Sequence, residues 1–92
     1  MKKYDVYYTE KALFQLHKLD KPIARRILDK VAFYLKQSNP LDYAKPLKDT
    51  RFGEYRFRIG EYRVIFDVDK KGKIVVLFIL AVKHRREVYQ GI

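Results

Sequence analysis

The chain has 92 residues and no cysteine, and its 21 Lys and Arg residues outnumber 11 Asp and Glu residues to give a formal net charge of +10. This length suits one domain over residues 1–92, and an apolar content of 48% argues against a disordered chain. The composition excludes disulfides and cysteine-based zinc sites, and the separation of His17 from His84 gives no metal cluster, so we expect no metal or cofactor. The positive charge favours a polyanionic partner, which leaves nucleic acid, an acidic protein or an anionic membrane surface.

The sequence shows no sign of a membrane segment or a secretory signal. The longest apolar run, residues 74–82, has nine residues, about half of what a membrane-spanning helix needs. The first five residues include charges and no apolar signal core. We therefore expect a cytoplasmic protein. We expect no membrane binding either, because neither predicted helix has a continuous basic face opposite a large apolar one.

The first third of the chain predicts a strand and two helices. Residues 4–8 are aromatic and typical of a short strand. Thr9 suits the N-cap of a first helix. Asp20 and Pro22 are typical of the start of a second helix, which carries an apolar stripe over residues 23–35. Two helices joined by so short a link predict an antiparallel hairpin.

The middle of the chain changes from helical to strand periodicity. Residues 38–40 end the second helix, and residues 41–53 are predicted as a loop with one extended piece near residues 44–47. From residue 54 to residue 59 the apolar side chains alternate with polar ones. That alternation is the pattern of a strand with one buried face.

The remaining elements predict an antiparallel meander. Gly60-Glu61 is a two-residue turn of the type that begins with glycine, and residues 62–68 form the returning strand. Residues 74–82 are apolar on both faces, which predicts a central strand that is covered on both sides. We therefore expect an α+β fold, in which an N-terminal strand and a two-helix hairpin pack on one face of a mostly antiparallel four-stranded sheet.

Three arginines share one face of the predicted hairpin. A two-residue loop puts Arg58 directly opposite Arg63, and strand parity places Arg56 on the same face. Like charges in that position destabilise a sheet by a few tenths to ~1 kcal/mol, so folding alone does not explain them. Guanidinium groups on an open face are typical of a phosphate or carboxylate site. The alternative is a solvated face on which neighbouring acids neutralise the arginines, namely Glu54, Glu61 or Asp67.

A second basic cluster follows the predicted central strand at residues 83–86. It extends the basic surface toward a second phosphate if that strand is central. His84 is the histidine of this cluster, and histidine is the residue type that ordinarily changes charge near neutral pH. Tyr89 is available either to stack on a base or to anchor the tail against the core.

These residues resemble the RelE/ParE toxin superfamily of bacterial and archaeal toxin–antitoxin systems. The resemblance rests on residues 55–64, residues 79–89 and Pro46-Leu47-Lys48, and it covers nearly the whole chain. It implies a RelE-like fold and the activity of the RelE branch, which cuts messenger RNA in the decoding site of the ribosome. In that metal-free reaction the ribose 2′-hydroxyl attacks the adjacent phosphate and the 5′-hydroxyl leaves.

The resemblance also implies site residues. It places Arg56 and Arg58 at the two basic strand positions, Arg63 on the returning strand, Arg85 after the central strand and Tyr89 at the terminal tyrosine. A difference of one residue in length leaves Arg86 as an alternative to Arg85. The expected RNA-binding set is Arg51, Arg56, Arg58, Lys83 and Arg86.

One departure from the family pattern changes the expected roles. The best-known RelE branch has lysines at the two strand positions, and an arginine there cannot give up its proton to act as a general base. We therefore expect Arg56 and Arg58 to hold phosphate. Arg63 and Arg85 are expected to stabilise charge in the transition state, and His84 or Tyr89 to move protons.

Two further classes of function remain open. A ParE-like toxin inhibits gyrase without cutting RNA, and a non-catalytic member only binds its partner and operator DNA. The partners that the resemblance implies are a cognate antitoxin with an acidic or amphipathic segment, the ribosome and messenger RNA. Operator DNA is expected only through the complex with the antitoxin.

Overall fold

A computed structural model describes residues 4–81 of the chain. Its elements are β1 (Val6–Tyr8), α1 (Glu10–Lys18), α2 (Lys21–Leu35), a short 3-10 helix (Pro40–Tyr43), β2 (Ala44–Pro46), β3 (Tyr55–Ile59), β4 (Tyr62–Val68) and β5 (Ile74–Ala81).

The strands form a five-stranded sheet in the order β1-β5-β4-β3-β2. The β1–β5 pair is parallel and the other three pairs are antiparallel. The α+β class is confirmed. The sheet has one strand more than the predicted four, because the extended piece near residues 44–47 pairs with β3 as the edge strand β2.

The helices begin where the capping residues predict. The Thr9 hydroxyl accepts a hydrogen bond of 3.1 Å from the backbone nitrogen of Ala12, as expected of an N-cap. Asp20 stands at the N-cap of α2 without a side-chain capping bond, and Pro22 lies in the first turn. Within residues 4–81, neither helix combines the length and the apolar character that crossing a bilayer requires.

The core lies between the helices and one face of the sheet. Phe57 and Phe66 stack at its centre with their ring centroids 4.4 Å apart, and both are fully buried. The helical side of the core consists of Ala12, Leu16, Ile27, Val31 and Tyr34. Burial raises the pKa of Tyr8, at the margin of this core, to about 12.

Helix α1 covers the part of the β5 edge that β1 does not reach. The pairing of β1 with β5 ends at Val76. Beyond it, the Thr9 hydroxyl donates to the carbonyl of Leu77 at 2.6 Å, and Gln15 Oε1 accepts from the backbone nitrogen of Ile79 at 2.7 Å. These side chains take the place of a neighbouring strand's backbone and fix α1 against the sheet.

A β-bulge in β5 changes which side chains face away from the helices. Ile65 of β4 pairs with Phe78, whereas the next residue of β4 pairs with Val76, so Leu77 is an extra residue. Leu77 and Phe78 therefore both lie on the face opposite the core. The predicted position of β5 inside the sheet is confirmed, but its predicted cover on both faces is wrong, since Leu80 is 44% exposed on the far face.

Candidate functional site

The β3–β4 hairpin has the register that the Gly60-Glu61 turn predicts. Gly60 has a φ of 58°, which suits the first position of a two-residue turn. Arg58 pairs with Arg63, and Arg56 pairs with Ile65. The residues that alternate with the arginines are buried in the core. All three arginines therefore lie on the face opposite the helices.

The acids near this face do not neutralise the arginines. Asp67 accepts a hydrogen bond of 2.8 Å from the backbone nitrogen of Glu54, and the Glu54 carboxylate accepts one of 3.1 Å from that of Val68. Within residues 4–81, the one ion pair shorter than 4.0 Å joins Asp49 to Arg51. The predicted pairing of acids with the arginines is therefore wrong for residues 4–81, and a solvated strand face stays the alternative to a ligand site.

The two β3 arginines have different surroundings. Arg58 is exposed, and its Nε donates to the carbonyl of Gly60 at 3.2 Å, which holds its stem over the turn. Arg56 is half-buried between Ile65 on one side and Lys45 on the other. Lys45 is a fourth cation of this face. Sequence reasoning missed it because the register of so short a strand as β2 carries no sequence signal.

Arg63 carries an unsatisfied polar atom. Its Nε is buried and has no hydrogen-bond partner within residues 4–81. Leaving such a donor unpaired costs about 1–3 kcal/mol. Arg63 also borders a cleft of about 540 Å³ between α1, the loop of residues 47–52 and the far face of β4 and β5. The surface that carries Arg56, Arg58 and Arg63, which we call the arginine face, is therefore continuous with this cleft.

Among the predicted RNA-binding residues that the structure describes, Arg51 is the one that pairs with an acid. Arg51 lies in the loop before β3, with its side chain 82% exposed, and binds the Asp49 carboxylate at 2.8 Å. That hydrogen bond lowers the pKa of Asp49 below its usual value. Because its charge is partly neutralised, Arg51 is a weaker candidate for an RNA contact than the three strand arginines.

The other predicted site residues lie outside the described residues, namely Lys83, His84, Arg85, Arg86 and Tyr89. Within residues 4–81, no cluster of three or more His, Asp and Glu side chains is placed to hold a metal ion.

The sequence matches the family of ParE toxins of type II toxin–antitoxin systems (parDE) over residues 6–89. The chain belongs to the RelE/ParE toxin superfamily. It is also 34% identical over 87 residues to Toxin RelG of Mycobacterium tuberculosis, a match that covers 95% of this chain and 97% of that toxin. This RelE/ParE member is thus a toxin of a type II toxin–antitoxin system.

Solved structures of RelE toxins share the fold of this RelE/ParE member. The toxin–antitoxin complex RelBE2 of Mycobacterium tuberculosis is similar with a TM-score of 0.71 and 29% identity over 87% of this chain and 99% of that one. The RelE–RelB complex of Pyrococcus horikoshii is similar with a TM-score of 0.69 and 26% identity, over 90% of this chain and 99% of that one. The isolated Escherichia coli RelE toxin has the same fold, with a TM-score of 0.69 at 19% identity over 96% and 93%.

Proposed function

We propose that this toxin is a ribosome-dependent endoribonuclease that cuts messenger RNA and so inhibits translation. The observation that supports the proposal is the arginine face, where Arg56, Arg58 and Arg63 lie together on the open side of the sheet without an acidic partner in residues 4–81. Guanidinium groups left unneutralised on one surface suit the phosphates of an RNA backbone. The similarity to toxins named RelG and RelE supports the same branch.

The proposed reaction uses the substrate's own nucleophile. The 2′-oxygen of a ribose forms a bond to the adjacent phosphorus, the bond from phosphorus to the 5′-oxygen breaks, and the products are a 2′,3′-cyclic phosphate and a 5′-hydroxyl. One proton leaves the 2′-hydroxyl and one joins the 5′-oxygen. Arg56 and Arg58 hold the phosphate, and Arg63 stabilises the negative charge that grows on it in the transition state.

Arginine cannot serve as the proton acceptor, because it stays charged at all accessible pH values. The proposal therefore assigns proton transfer to His84 or Tyr89 and further charge stabilisation to Arg85, with Arg86 as the alternative. Arg51, Lys83 and Arg86 are proposed to contact the RNA backbone. With so few groups that titrate near neutrality, cleavage of free RNA should be slow. Placement of the messenger by the ribosome then supplies part of the rate.

The deciding experiment maps messenger ends after induction of the full chain and of its Arg63→Ala and Tyr89→Phe variants. We expect Arg63→Ala to lower the cleavage rate about 100-fold or more, as loss of a preorganised charge does. Arg25→Ala is the matched control, because it removes an equal charge from the exposed surface of α2. Parent-level cleavage by both site variants would contradict the assignment.

A ParE-like inhibitor of gyrase is the second candidate function, since the matching family is described as ParE toxins. A supercoiling assay on the same samples separates the two functions. Inhibition of supercoiling without new messenger ends would favour gyrase inhibition as the function, and new messenger ends without inhibition of supercoiling would favour the nuclease.

We also propose a cognate antitoxin as the physiological partner. The similar toxins of Mycobacterium tuberculosis and Pyrococcus horikoshii were solved in complex with antitoxins. An acidic segment of such a partner complements both the net charge of +10 and the arginine face. Operator DNA would then be bound only by the complex.

A further inference from the structure

The cleft beside Arg63 has an apolar floor and an aromatic rim. Ile65, which is 3% exposed, and the half-buried Phe78 form the floor on β4 and β5. Phe52 stands at the rim and is 59% exposed. The volume of the cleft, about 540 Å³, lies within the range of roughly 300–1,000 Å³ that is typical of small-ligand sites.

Two local features of the chain create this cleft. The bulge at Leu77 puts Phe78 on the same face as Ile65. Gly53 packs so closely on the sheet that a β-carbon there would lie 2.5 Å from Ile65 Cγ2. That close approach holds the neighbouring Phe52 at the cleft. The aromatic rim and floor are therefore positioned by the backbone and not by chance exposure of side chains.

The polar atoms around the cleft suit an electron-rich ring with an adjacent anion. The Lys11 ammonium lies 5.2 Å from the centroid of the Phe78 ring, and Lys48 also lines the cleft. The Arg63 side chain is the third cation of the lining. Among the described residues, the one acid in the wall, Asp49, already binds Arg51. The cleft thus carries net positive charge.

The distance from the arginine face also fits one nucleotide. Neighbouring strands of a sheet are about 4.8 Å apart, so the cations of β3 and the aromatic floor on β5 are separated by roughly 10 Å. A phosphate over β3 and its own base over β5 can bridge that separation.

We propose that this cleft binds one nucleobase of the RNA, next to the phosphate that the arginine face holds. The inference rests on the proposed nuclease function and names the part of the substrate that this surface recognises. A base supplies a flat face for Phe52 and Phe78 and edge acceptors for the cationic side chains around the cleft. An apolar side chain from a protein partner would fill the same space, but it would leave Lys11, Lys48 and Arg63 without an acceptor.

The test measures binding of short RNA to the full chain by amide chemical shifts in NMR. The probes are a trinucleotide with 2′-deoxy sugars at its first two positions, which leaves no 2′-hydroxyl beside a phosphodiester and so cannot be cut, and the same molecule without its central base. We expect the complete trinucleotide to bind about 10-fold more tightly, as one stacked base contributes, and to shift the amides of residues 63–65 and 78–80. Phe52→Ala should remove the difference between the two probes.

Phe14→Ala is the matched control, since Phe14 is 60% exposed on α1, lies 4.7 Å from the Lys18 ammonium and does not line the cleft. It should leave the tenfold preference unchanged. Equal affinity for the two probes overturns the inference, even if the toxin cuts messenger RNA. If the preference is present but no messenger is cut, the nuclease proposal fails and the base-binding cleft stands. Shifts of these amides with an antitoxin but with neither probe would identify a protein-binding site and also overturn the inference.

Discussion

Arg58 and Arg63 show a conflict between folding and binding at the scale of single residues. They pair directly across the β3–β4 hairpin, where side chains start roughly 5 Å apart. No acid in residues 4–81 lies within 4.0 Å of either guanidinium. The chain therefore keeps an electrostatic repulsion that a substitution at either position would relieve. Such a feature is expected where a surface is selected for an anionic ligand and not for stability.

Arg58→Gln should raise the free energy of unfolding, because it removes this repulsion while keeping most of the side-chain stem. We expect a gain of up to about 1 kcal/mol at low salt that shrinks as salt screens the remaining charges. Urea unfolding at two salt concentrations measures it. Arg25→Gln, on the exposed surface of α2, is the control for a change in net charge alone. A variant that is destabilised at low salt would show that the Arg58 contact with the Gly60 carbonyl outweighs the repulsion.

The sequence predicts the register of these arginines but not all of their neighbours. A glycine-first turn of two residues fixes which residues of β3 and β4 pair, so the placement of Arg56, Arg58 and Arg63 is confirmed. The pairing of Asp49 with Arg51 could not be predicted, because it depends on the path of an irregular loop. The orphaned Nε of Arg63 depends on tertiary packing and has no sequence signature.

At the scale of elements, β5 shows that the sequence of a continuous apolar run does not reveal on which face of the sheet each side chain lies. Alternation of polar and apolar residues reveals where a strand shifts phase, but residues 74–82 are apolar throughout. The bulge at Leu77 therefore has no sequence signature, and the apolar run wrongly predicts a strand that is covered on both faces. In the structure that face carries the floor of the cleft.

Gly53 is the residue on which the loop beside β5 depends. Its φ of 149° is rare for other residues, and an added β-carbon would lie 2.5 Å from Ile65 Cγ2 and 3.3 Å from Leu77 Cδ1. Gly53→Ala should lower the free energy of unfolding by about 1–3 kcal/mol more than Gly72→Ala does. Gly72 is the control because it also has a positive φ, of 86°, with open space around its α-carbon. Equal losses in urea unfolding would mean that backbone conformation alone, and not the close packing, requires glycine at position 53.

At the scale of the whole molecule, the net charge of +10 attracts a polyanion to the protein, and the arginine face determines where its phosphates bind. A spread of lysines and arginines draws any polyanion toward the protein, whereas a bound phosphate releases counterions only where a cation touches it. Fold and charge were both predictable from the sequence, since the spacing of apolar residues and the net charge need no tertiary detail. The division of the open face into a cationic half and an aromatic half was not, because it depends on β2, the bulge and the loop of residues 47–52 together.

Salt dependence measures how many cations touch the backbone. For a single-stranded RNA, the logarithm of the affinity falls with the logarithm of salt by about 0.7 for each phosphate contacted. Arg56→Gln should therefore reduce the magnitude of that slope by about 0.7 for a uridine oligomer, as followed by fluorescence anisotropy. Arg25→Gln should leave the slope unchanged. If both substitutions weaken binding without changing the slope, Arg56 does not contact a phosphate.

Within residues 4–81, the sheet ends at both margins in strands of only three residues, β1 and β2. Pro46 removes a donor from one margin, and α1 covers the β5 edge beyond β1 at the other. A second copy of the chain thus finds little backbone to add to, and this limits edge-to-edge aggregation. A basic protein with aromatic side chains on its surface can in this way accumulate without polymerising when no partner covers it.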